Sequence, residues 1–346
     1  MSNNKPADKT KALAPLIFGT SALGNLYVEM PQEQKTAIVE QCFKQLGTLP
    51  VVFDSAGKYG AGLALESLGR SLKELGISAD QVLISNKLGW LRTPLKTKEP
   101  TFEPGVWKGI QYDAVQKISY EGILECFEQG NELLGDYRPQ MVSVHDPDEY
   151  LSTATSKADE EKRYQDILDA YKALFDLKKQ GKVRLVGVGA KDWKVIERIA
   201  ADIQLDWVMI ANSLTVKSHP AALISFVEAL HQKGCQVINS AVFNAGFLTG
   251  GNYYNYRLVT DESEQDRALL AWRTRFTALC AQFELKPAAV CVQFALQVPG
   301  VDSIALNTSN PLRVKENVSL VKTEVPTAFW QALKDEGLID ADLSFL

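Results

Sequence analysis

The sequence of 346 residues predicts a (β/α)8 TIM barrel with long loops at the carboxyl-terminal face of its strands. Two observations predict this fold: eight short apolar segments recur along the chain, and segments with helical spacing lie between them. An open doubly wound sheet would give the same local alternation, and the number of strands favours the barrel. We expect one domain over residues 1–346, with residues 1–13 as a flexible tail.

The predicted strands are continuous apolar runs rather than strict alternations of apolar and polar residues. Such runs are typical of strands buried between outer helices and a packed barrel interior. Turn residues bound the runs. The strands are predicted at residues 16–24, 51–57, 82–89, 140–146, 183–190, 207–213, 236–241 and 303–307.

The predicted helices carry apolar residues at helical spacing, and several end at a glycine that suits a left-handed C′ position. The clearest segments are 32–46, 120–134, 164–181, 219–234 and 310–321, and the glycines are Gly47, Gly76, Gly135, Gly181 and Gly234. A last helix is predicted over residues 328–337. We expect the tail either to cover the barrel mouth or to pack on the outside.

Two long connections interrupt the repeat. Residues 90–118 follow the third strand, and residues 242–264 follow the seventh. Long loops in compact domains are usually functional or disordered. Because both follow the carboxyl-terminal ends of strands, where barrel enzymes keep their active sites, we expect both to border a substrate pocket.

Composition and charge narrow the class of partner. The net charge of -5 and the pI near 5.5 argue against nucleic acid or an anionic membrane as the main partner, because both are bound by basic patches. The five cysteines have no CxxC spacing and predict free thiols in a reducing cytosol. The polar start does not resemble a signal peptide, so the expected localisation is cytoplasmic.

Three ionisable residues stand at the ends of successive predicted strands: Asp54, Lys87 and His145. In a barrel these strand ends converge on one rim. Any one of the three could instead cap a helix or be a satisfied core group, but three on successive strands favour a functional site. Tyr59 lies in the turn after the second strand, from which its phenol could turn back over the rim.

These residue types predict proton transfer to or from an oxygen atom. An ammonium beside Tyr59 would favour phenolate and lower the phenol pKa from about 10 toward the working pH. Asp54 would pair with Lys87 and offset its burial, and His145 could donate a hydrogen bond to a carbonyl oxygen. With three histidines and no HxH, HExxH or CxxC spacing, no metal site is expected.

Six motifs together resemble the aldo-keto reductases, from about residue 14 to 325. They are FGTSALG (18–24), FDSAGKYG (53–60), SNKLG (85–89), VSVHD (142–146), GFLTGG (246–251) and NTSNPLRVKENV (307–318). The segments ISYEGIL (118–124) and VGVGAKDW (186–193) are similar to the aldose 1-dehydrogenases, which act on L-fucose, D-arabinose or L-galactose.

The resemblance implies a nicotinamide cofactor lying extended across the barrel mouth, and it implies roles for individual residues. Tyr59 would donate or accept the proton, Lys87 and Asp54 would tune it, and His145 would orient the substrate oxygen. The implied cofactor-binding residues are Gly19, Thr20, Asp54, Lys191, Asn212, Asn239, Ser240, Gly246, Leu248, Asn307, Ser309, Arg313, Glu316 and Asn317.

The sequence departs from the family pattern at the nicotinamide contacts. Gly189 and Ala190 stand where relatives carry Ser-Asn, and Met209 stands where they carry Gln. Asn239 or Ser240 replaces a tyrosine that stacks on the nicotinamide. Substitute contacts are expected from Lys191, Asn212 and Asn239.

Aromatic residues of the 90–118 connection are the predicted substrate contacts, together with His145. The flat rings of Trp90, Trp107 and Tyr112 could pack against the C–H face of a sugar, or they could anchor the connection itself. Asn307 stands where NADP-selective relatives carry lysine, so NAD is the expected cofactor, while Arg313 leaves NADP possible.

The predicted function is therefore NAD(P)-dependent oxidation of an aldose at C1 to a lactone, by a monomer or weak homodimer. An NADPH-dependent aldehyde or ketone reductase, acting on a pyridoxal-like aldehyde for example, is the alternative enzyme. A third hypothesis is a regulatory subunit that binds the nucleotide without turnover, as some relatives do with channels.

Overall fold

The computed structural model describes residues 13–346. The predicted tail over residues 1–13 lies outside the described residues except for Leu13. Leu13 is buried in the same apolar cluster as Ile17 and Met141, so it belongs to the packed interior of the fold.

Eight parallel strands form a closed barrel in which each strand pairs with its neighbours in the chain and the last pairs with the first. All eight predicted strands are present, and the predicted fold class is confirmed. The strands are β1 Leu16–Gly19, β2 Val51–Ala56, β3 Val82–Leu88, β4 Met141–His145, β5 Leu185–Ala190, β6 Trp207–Ala211, β7 Gln236–Ser240 and β8 Ser303–Leu306.

Helices follow the strands and cover the outside of the barrel. They are α1 Gln32–Leu46, α2 Leu63–Glu74, α3 Tyr120–Leu134, α4 Pro147–Ser152, α5 Lys157–Lys179, α6 Trp193–Asp202, α7 Ala221–Gln232, α8 Glu264–Gln282, α9 Pro287–Gln297, α10 Leu312–Val321 and α11 Thr327–Asp335. The helices predicted at residues 32–46 and 120–134 have these bounds, and the five glycines expected to end helices all have positive φ.

Helix α5 begins earlier than predicted, at Lys157 rather than at residue 164. Its first turns are charged and carry no apolar repeat, so the hydrophobic pattern does not reveal them. They are helical because the Ser156 hydroxyl accepts a hydrogen bond from the Asp159 amide at 3.1 Å and caps the helix.

The barrel interior is filled by side chains rather than open. Ile17, Val52, Met141, Trp207 and Ile238 come from five different strands and form one buried cluster. The helices pack separate apolar clusters against the outer surface of the strands. The ionisable residues of the barrel strands are Asp54, Lys87 and His145, and they lie toward the carboxyl-terminal strand ends, where a site can form.

The two long connections each contain a two-stranded sheet, which the sequence pattern did not predict. In the first hairpin, Trp90–Pro94 pairs antiparallel with Tyr112–Gln116. In the second hairpin, Tyr253–Tyr254 pairs with Arg257–Leu258. The segment between the strands of the first hairpin, residues 95–111, is the lid segment. Asp113 holds its base by accepting hydrogen bonds from the amide and hydroxyl of Thr101.

The C-terminal tail packs on the outer helices. The indole N–H of Trp272 in α8 donates to the Leu338 carbonyl at 3.1 Å, and Phe345 packs against Phe294 in α9. The tail therefore takes the second of the two predicted positions. Within residues 13–346 no single helix is long and apolar enough to cross a membrane, and only α8 with α9, bent by 97°, passes on length and composition.

Candidate active site

Four predicted catalytic residues meet at the carboxyl-terminal rim of the barrel. Asp54 lies in β2, Lys87 lies in β3 and His145 ends β4, and all three are at most 4% exposed. Tyr59 is in the turn between β2 and α2 and is only partly exposed. The parallel order of the strands brings these residues together from positions far apart in the chain.

An ion pair lies beneath the tyrosine. Lys87 Nζ is 2.5 Å from Asp54 Oδ2 and 4.8 Å from the centroid of the Tyr59 ring. The Tyr59 ring meets the His145 ring edge to face at 5.5 Å. Thr20, from the predicted cofactor set, donates from its hydroxyl to the Asp54 carbonyl at 3.1 Å and so supports this strand end.

The pKa of Tyr59 is raised, whereas the sequence predicted that it would be lowered. Burial raises the pKa of the Tyr59 phenol well above its ordinary value, and the negative charges of Asp54 and Asp146 act in the same direction. The positive charge of Lys58, the residue before Tyr59, acts the other way and favours the phenolate. The predicted lowering of this pKa by Lys87 stays a prediction.

His145 is held neutral. Burial lowers the pKa of the His145 imidazole well below its usual value, and the positive charges of Lys87 and Lys58 lower it further. Its Nδ1 is buried without a hydrogen-bond partner among the described residues, and its Nε2 is 3.6 Å from Asp146 Oδ2. A neutral imidazole has one donor and one acceptor nitrogen, which suits orientation of a substrate oxygen.

A second group of charges, which we call the charge cluster, lies beside these four residues. It consists of Lys58, Glu103, Asp146, Glu149 and Lys191. Lys58 Nζ is 2.8 Å from Glu149, 2.9 Å from Glu103 and 3.5 Å from Asp146. Lys191 also pairs with Glu149 and Asp146. Burial lowers the pKa of Lys58, but the three carboxylates more than offset this and keep the lysine charged.

Sequence reasoning missed the charge cluster except for Lys191. Lys58 and Asp146 are direct neighbours of Tyr59 and His145, and that adjacency was the available signal. Glu103 gave no signal, because it lies in the irregular lid segment.

The three aromatic residues predicted to contact substrate lie in different places. The Trp107 ring is 5.9 Å from the Tyr59 ring, and its indole N–H donates to Glu103 at 2.7 Å. The Trp90 ring is 5.2 Å from Lys58 Nζ. Tyr112 is exposed and packs on Arg92, whose guanidinium is 4.3 Å from its ring, so the structure does not bring it to Tyr59.

Buried amide oxygens lie at the ends of β6 and β7, where the nicotinamide contacts are expected. Asn239 donates from Nδ2 to the Leu214 carbonyl, and Asn244 donates to the Asn212 carbonyl. The Oδ1 atoms of Asn212, Asn239 and Asn244 have no hydrogen-bond partner in the described part of the chain. Asn212 and Lys191 also line a cavity of about 310 Å³, together with Tyr256 from the second hairpin.

These unpaired acceptors fit the carboxamide of a nicotinamide, whose NH₂ group donates two hydrogen bonds. Ser240 offers less, since its hydroxyl donates to the Ile210 carbonyl at 3.3 Å. Gly246 has φ of 87° in the turn that precedes the buried Leu248, so both belong to the backbone of the β7 loop.

The residues predicted to hold the adenosine end lie after β8. Asn307 is exposed and approaches Gly19 of β1, and its Nδ2 donates to Ser21 at 2.8 Å. The Ser309 carbonyl accepts from Gln34 at 2.7 Å. On α10, Arg313 is exposed, Asn317 is half-buried, and Glu316 pairs with Lys286 at 2.8 Å.

Comparison with known protein families identifies a match to one family. Residues 15–336 match the model described as the aldo/keto reductase family. The pyridoxal 4-dehydrogenase of Microbacterium luteolum is 26% identical, with 93% of each chain covered. The D-threo-aldose 1-dehydrogenase of a Pseudomonas species is also 26% identical, with 98% of this chain and 99% of the relative covered.

Solved structures show the same fold. The glycerol dehydrogenase AKR11B4 from Gluconobacter oxydans has a TM-score of 0.68 at 17% identity, covering 96% of this chain and 95% of that chain. The aldo-keto reductase AKR11C1 from Bacillus halodurans, in its holo form, has a TM-score of 0.66 at 19% identity, covering 94% and 92%. At these identities the likeness concerns the fold alone.

Proposed function

The chain belongs to the aldo/keto reductase family, and on that premise we propose that it oxidises the C1 hydroxyl of a cyclic aldose to a lactone with an NAD(P) cofactor. The observation that carries the proposal is the buried Asp54–Lys87 pair beneath Tyr59, with neutral His145 at its edge. This arrangement suits proton exchange with a substrate oxygen. It supplies no nucleophile for covalent catalysis.

Each residue of the group has a distinct role in the proposed reaction. His145 donates a hydrogen bond that orients the C1 oxygen, and the Tyr59 oxygen takes the hydroxyl proton as the C1–O bond becomes a carbonyl. The Asp54–Lys87 pair supports the ring of Tyr59 from below. A bound nicotinamide cofactor supplies the acceptor for the hydride that C1 loses.

The cofactor would be held by residues of this chain that differ from the family pattern. Asn212 and Asn239 offer buried acceptors for the carboxamide and replace the missing Ser-Asn and Gln side chains. Gly246 and Leu248 belong to the loop after β7, and Asn307 with Arg313 lies at the adenosine end. We propose NAD as the preferred cofactor, because Asn307 offers no charge to a 2′-phosphate.

The pocket suits a neutral substrate with several oxygen atoms. Both lysines of the charge cluster are matched by carboxylates, so neither is free to bind a phosphate. Trp107 provides an apolar ring beside Tyr59. The names of both relatives fit this class, because an aldose and pyridoxal can each close into a cyclic hemiacetal with a hydrogen and a hydroxyl on one carbon.

A panel of substrates tests the proposal. Reduction of NAD or NADP is followed by the absorbance of the reduced nicotinamide, with L-fucose, D-arabinose, L-galactose and pyridoxal as substrates. Mass spectrometry should show the loss of two hydrogen atoms. Tyr59→Phe should lower kcat by ~10²-fold or more, as expected for a general acid–base group.

The control is Tyr120→Phe, which removes a hydroxyl that donates to Asp176 on the barrel exterior. It should keep wild-type turnover. Near wild-type turnover by Tyr59→Phe would exclude Tyr59 as the proton acceptor.

A second candidate is reduction of an aldehyde or ketone, and the pKa of Tyr59 favours it. Because burial raises that pKa, Tyr59 is a neutral phenol near pH 7, which is the form that donates a proton to a carbonyl oxygen. Comparing turnover of L-fucose with NAD and of an aromatic aldehyde with NADPH, each at neutral and alkaline pH, separates the two directions.

A further inference from the structure

Lys58 is an unusual lysine, because it is 3% exposed and joins four parts of the barrel mouth. It lies in the turn between β2 and α2, directly before Tyr59. Its ammonium contacts Glu103 in the lid segment, Asp146 after β4 and Glu149 in α4. It also lies 5.2 Å from the Trp90 ring of the first hairpin. A charge this deeply buried is stable only while its partners stay in place.

On one side, Lys58 fixes the lid segment against Tyr59. Glu103 divides its two carboxylate oxygens between Lys58 and the indole N–H of Trp107, at 2.9 and 2.7 Å. Trp107 in turn lies over the Tyr59 ring at 5.9 Å. The lid segment has little regular structure of its own, with one isolated β-bridge between Trp107 and Leu26. Backbone hydrogen bonds hold the main chain on either side of Trp107, from the Tyr27 amide to Val106 and from the Lys108 amide to Asn25, and the contact through Glu103 to Lys58 fixes its indole.

On the other side, Lys58 fixes the residues around His145. Asp146 Oδ2 lies between Lys58 Nζ at 3.5 Å and His145 Nε2 at 3.6 Å. The backbone of Asp146 is left-handed, with φ of 46°, an uncommon conformation for a residue other than glycine. Its amide donates to the Gly189 carbonyl at 3.1 Å. The ion pair with Lys58 adds to that restraint on the residue next to His145.

We propose that Lys58 is a positioning residue for the reaction, holding Trp107 over Tyr59 and Asp146 beside His145 so that the substrate binds in one orientation. This inference rests on the proposed function, because it concerns the same site. Removing the ammonium would leave Lys191 as the one cation of the charge cluster to balance Glu103, Asp146 and Glu149, and Lys191 pairs with Asp146 and Glu149 but not with Glu103. Repulsion among these carboxylates and their hydration would release the lid segment.

Four variants test the role of Lys58. Lys58→Met keeps the length and removes the charge, Lys58→Arg keeps the charge, and Glu103→Gln breaks only the connection to the lid segment. The matched control is Lys178→Met, which breaks a short ion pair with Asp206 at the opposite end of the barrel. Steady-state kcat and KM are measured together with hydrogen exchange of residues 95–111 and the thermal midpoint.

We expect Lys58→Met to lower kcat/KM by about 10- to 100-fold, through misplacement of the substrate, and to speed exchange in the lid segment. Glu103→Gln should speed exchange there and raise KM with a smaller effect on kcat. Lys58→Arg should restore most of both readouts. Lys178→Met should change only the thermal midpoint.

The proposal is overturned if Lys58→Met keeps wild-type kcat, KM and exchange in the lid segment, or if Lys178→Met reproduces its effects. Failure of the proposed function is a separate result. In that case the wild-type protein turns over no substrate of the panel, and hydrogen exchange alone then decides whether Lys58 holds the lid segment.

Discussion

Single substitutions of the charged residues nearest to Tyr59 should shift the pKa of its phenol in opposite directions. Sugar oxidation requires the phenolate, so its rate should rise with pH through the pKa of Tyr59. Asp54→Asn removes a negative charge that raises this pKa and should shift the profile to lower pH. Lys58→Met removes a positive charge that lowers it and should shift the profile to higher pH. Lys87→Met leaves Asp54 unpaired and should also shift it to higher pH.

The measurement is the pH dependence of kcat/KM for the best sugar with saturating cofactor in wild type and the three variants. The direction of each shift is the result that matters, because a general loss of activity lowers the plateau without moving the midpoint. If Asp54→Asn and Lys58→Met moved the midpoint in the same direction, the charges near Tyr59 would not set its ionisation.

Cofactor choice is predicted at Asn307. Its amide is exposed and offers neutral hydrogen bonds, whereas charge-assisted contacts to a phosphate are roughly twice as strong as neutral ones. NAD should therefore be preferred in kcat/KM, and Asn307→Lys should improve NADP. Arg313 is exposed on α10 and could still bind a phosphate with two hydrogen bonds, so the preference should be partial. An NADP preference in wild type would mean that Arg313 suffices.

The four residues at the strand ends and in the β2–α2 turn were predictable because the barrel itself brings them together. Once β2, β3 and β4 are parallel neighbours, the polar residues at their ends must share a rim. The Lys58–Glu103 pair was not predictable in this way, because the position of Glu103 depends on the path of the lid segment. The predicted direction of the Tyr59 pKa shift was wrong for a related reason, since this pKa depends on the burial of the phenol and on the charge of Asp146.

At the level of elements, the apolar runs identified the barrel strands but not the hairpin strands. Trp90–Pro94 and Tyr112–Gln116 are partly exposed and separated by the lid segment, so neither has the continuous apolar pattern of the barrel. The tryptophans of this region pack with Phe102 and Ala61 in a small apolar cluster, which joins the lid segment to the turn that carries Tyr59.

Alanine substitutions of the aromatic residues in this region should have different effects on substrate binding. Trp107→Ala should raise KM and change the preference among sugars, because the ring lies beside Tyr59. Tyr112→Ala should leave both unchanged, because its ring packs on Arg92. Trp90→Ala should lower thermal stability and affect KM indirectly through Lys58. Equal KM values for the Trp107 and Tyr112 variants, at equal stability, would show that the region is only structural.

For the whole molecule, closure of the barrel depends on side chains of different size fitting together inside it. The sequence predicted eight strands and a packed interior, but it did not predict which residues meet there. The structure pairs Gly187 of β5 with Trp207 of β6. The indole of Trp207 is fully buried, and the absence of a side chain at position 187 leaves room for it.

Substitution of alanine for each of two glycines in β5 should therefore destabilise the protein to different extents. A Cβ at position 187 would lie 2.2 Å from the indole of Trp207 and 2.4 Å from its carbonyl oxygen, whereas the nearest atom to a Cβ at position 189 is Lys87 Cδ at 3.2 Å. A rigid indole and a backbone carbonyl cannot move aside as a lysine methylene can. Overpacking of this kind costs about 1–3 kcal/mol, and sometimes more.

Gly187→Ala should therefore lower the thermal midpoint by several degrees, since about 1 kcal/mol corresponds to roughly 2–4 °C in a domain of 150–250 residues. Gly189→Ala should lower it much less. Trp207→Leu leaves a cavity and is destabilising by itself, but Gly187→Ala should lower the midpoint less in the Trp207→Leu background than in wild type, because the clash with the indole is gone and only the one with the carbonyl remains. Differential scanning calorimetry of wild type, the three single variants and the double variant measures these effects. Equal midpoints for the two single glycine variants would show that the barrel interior can adjust around Trp207.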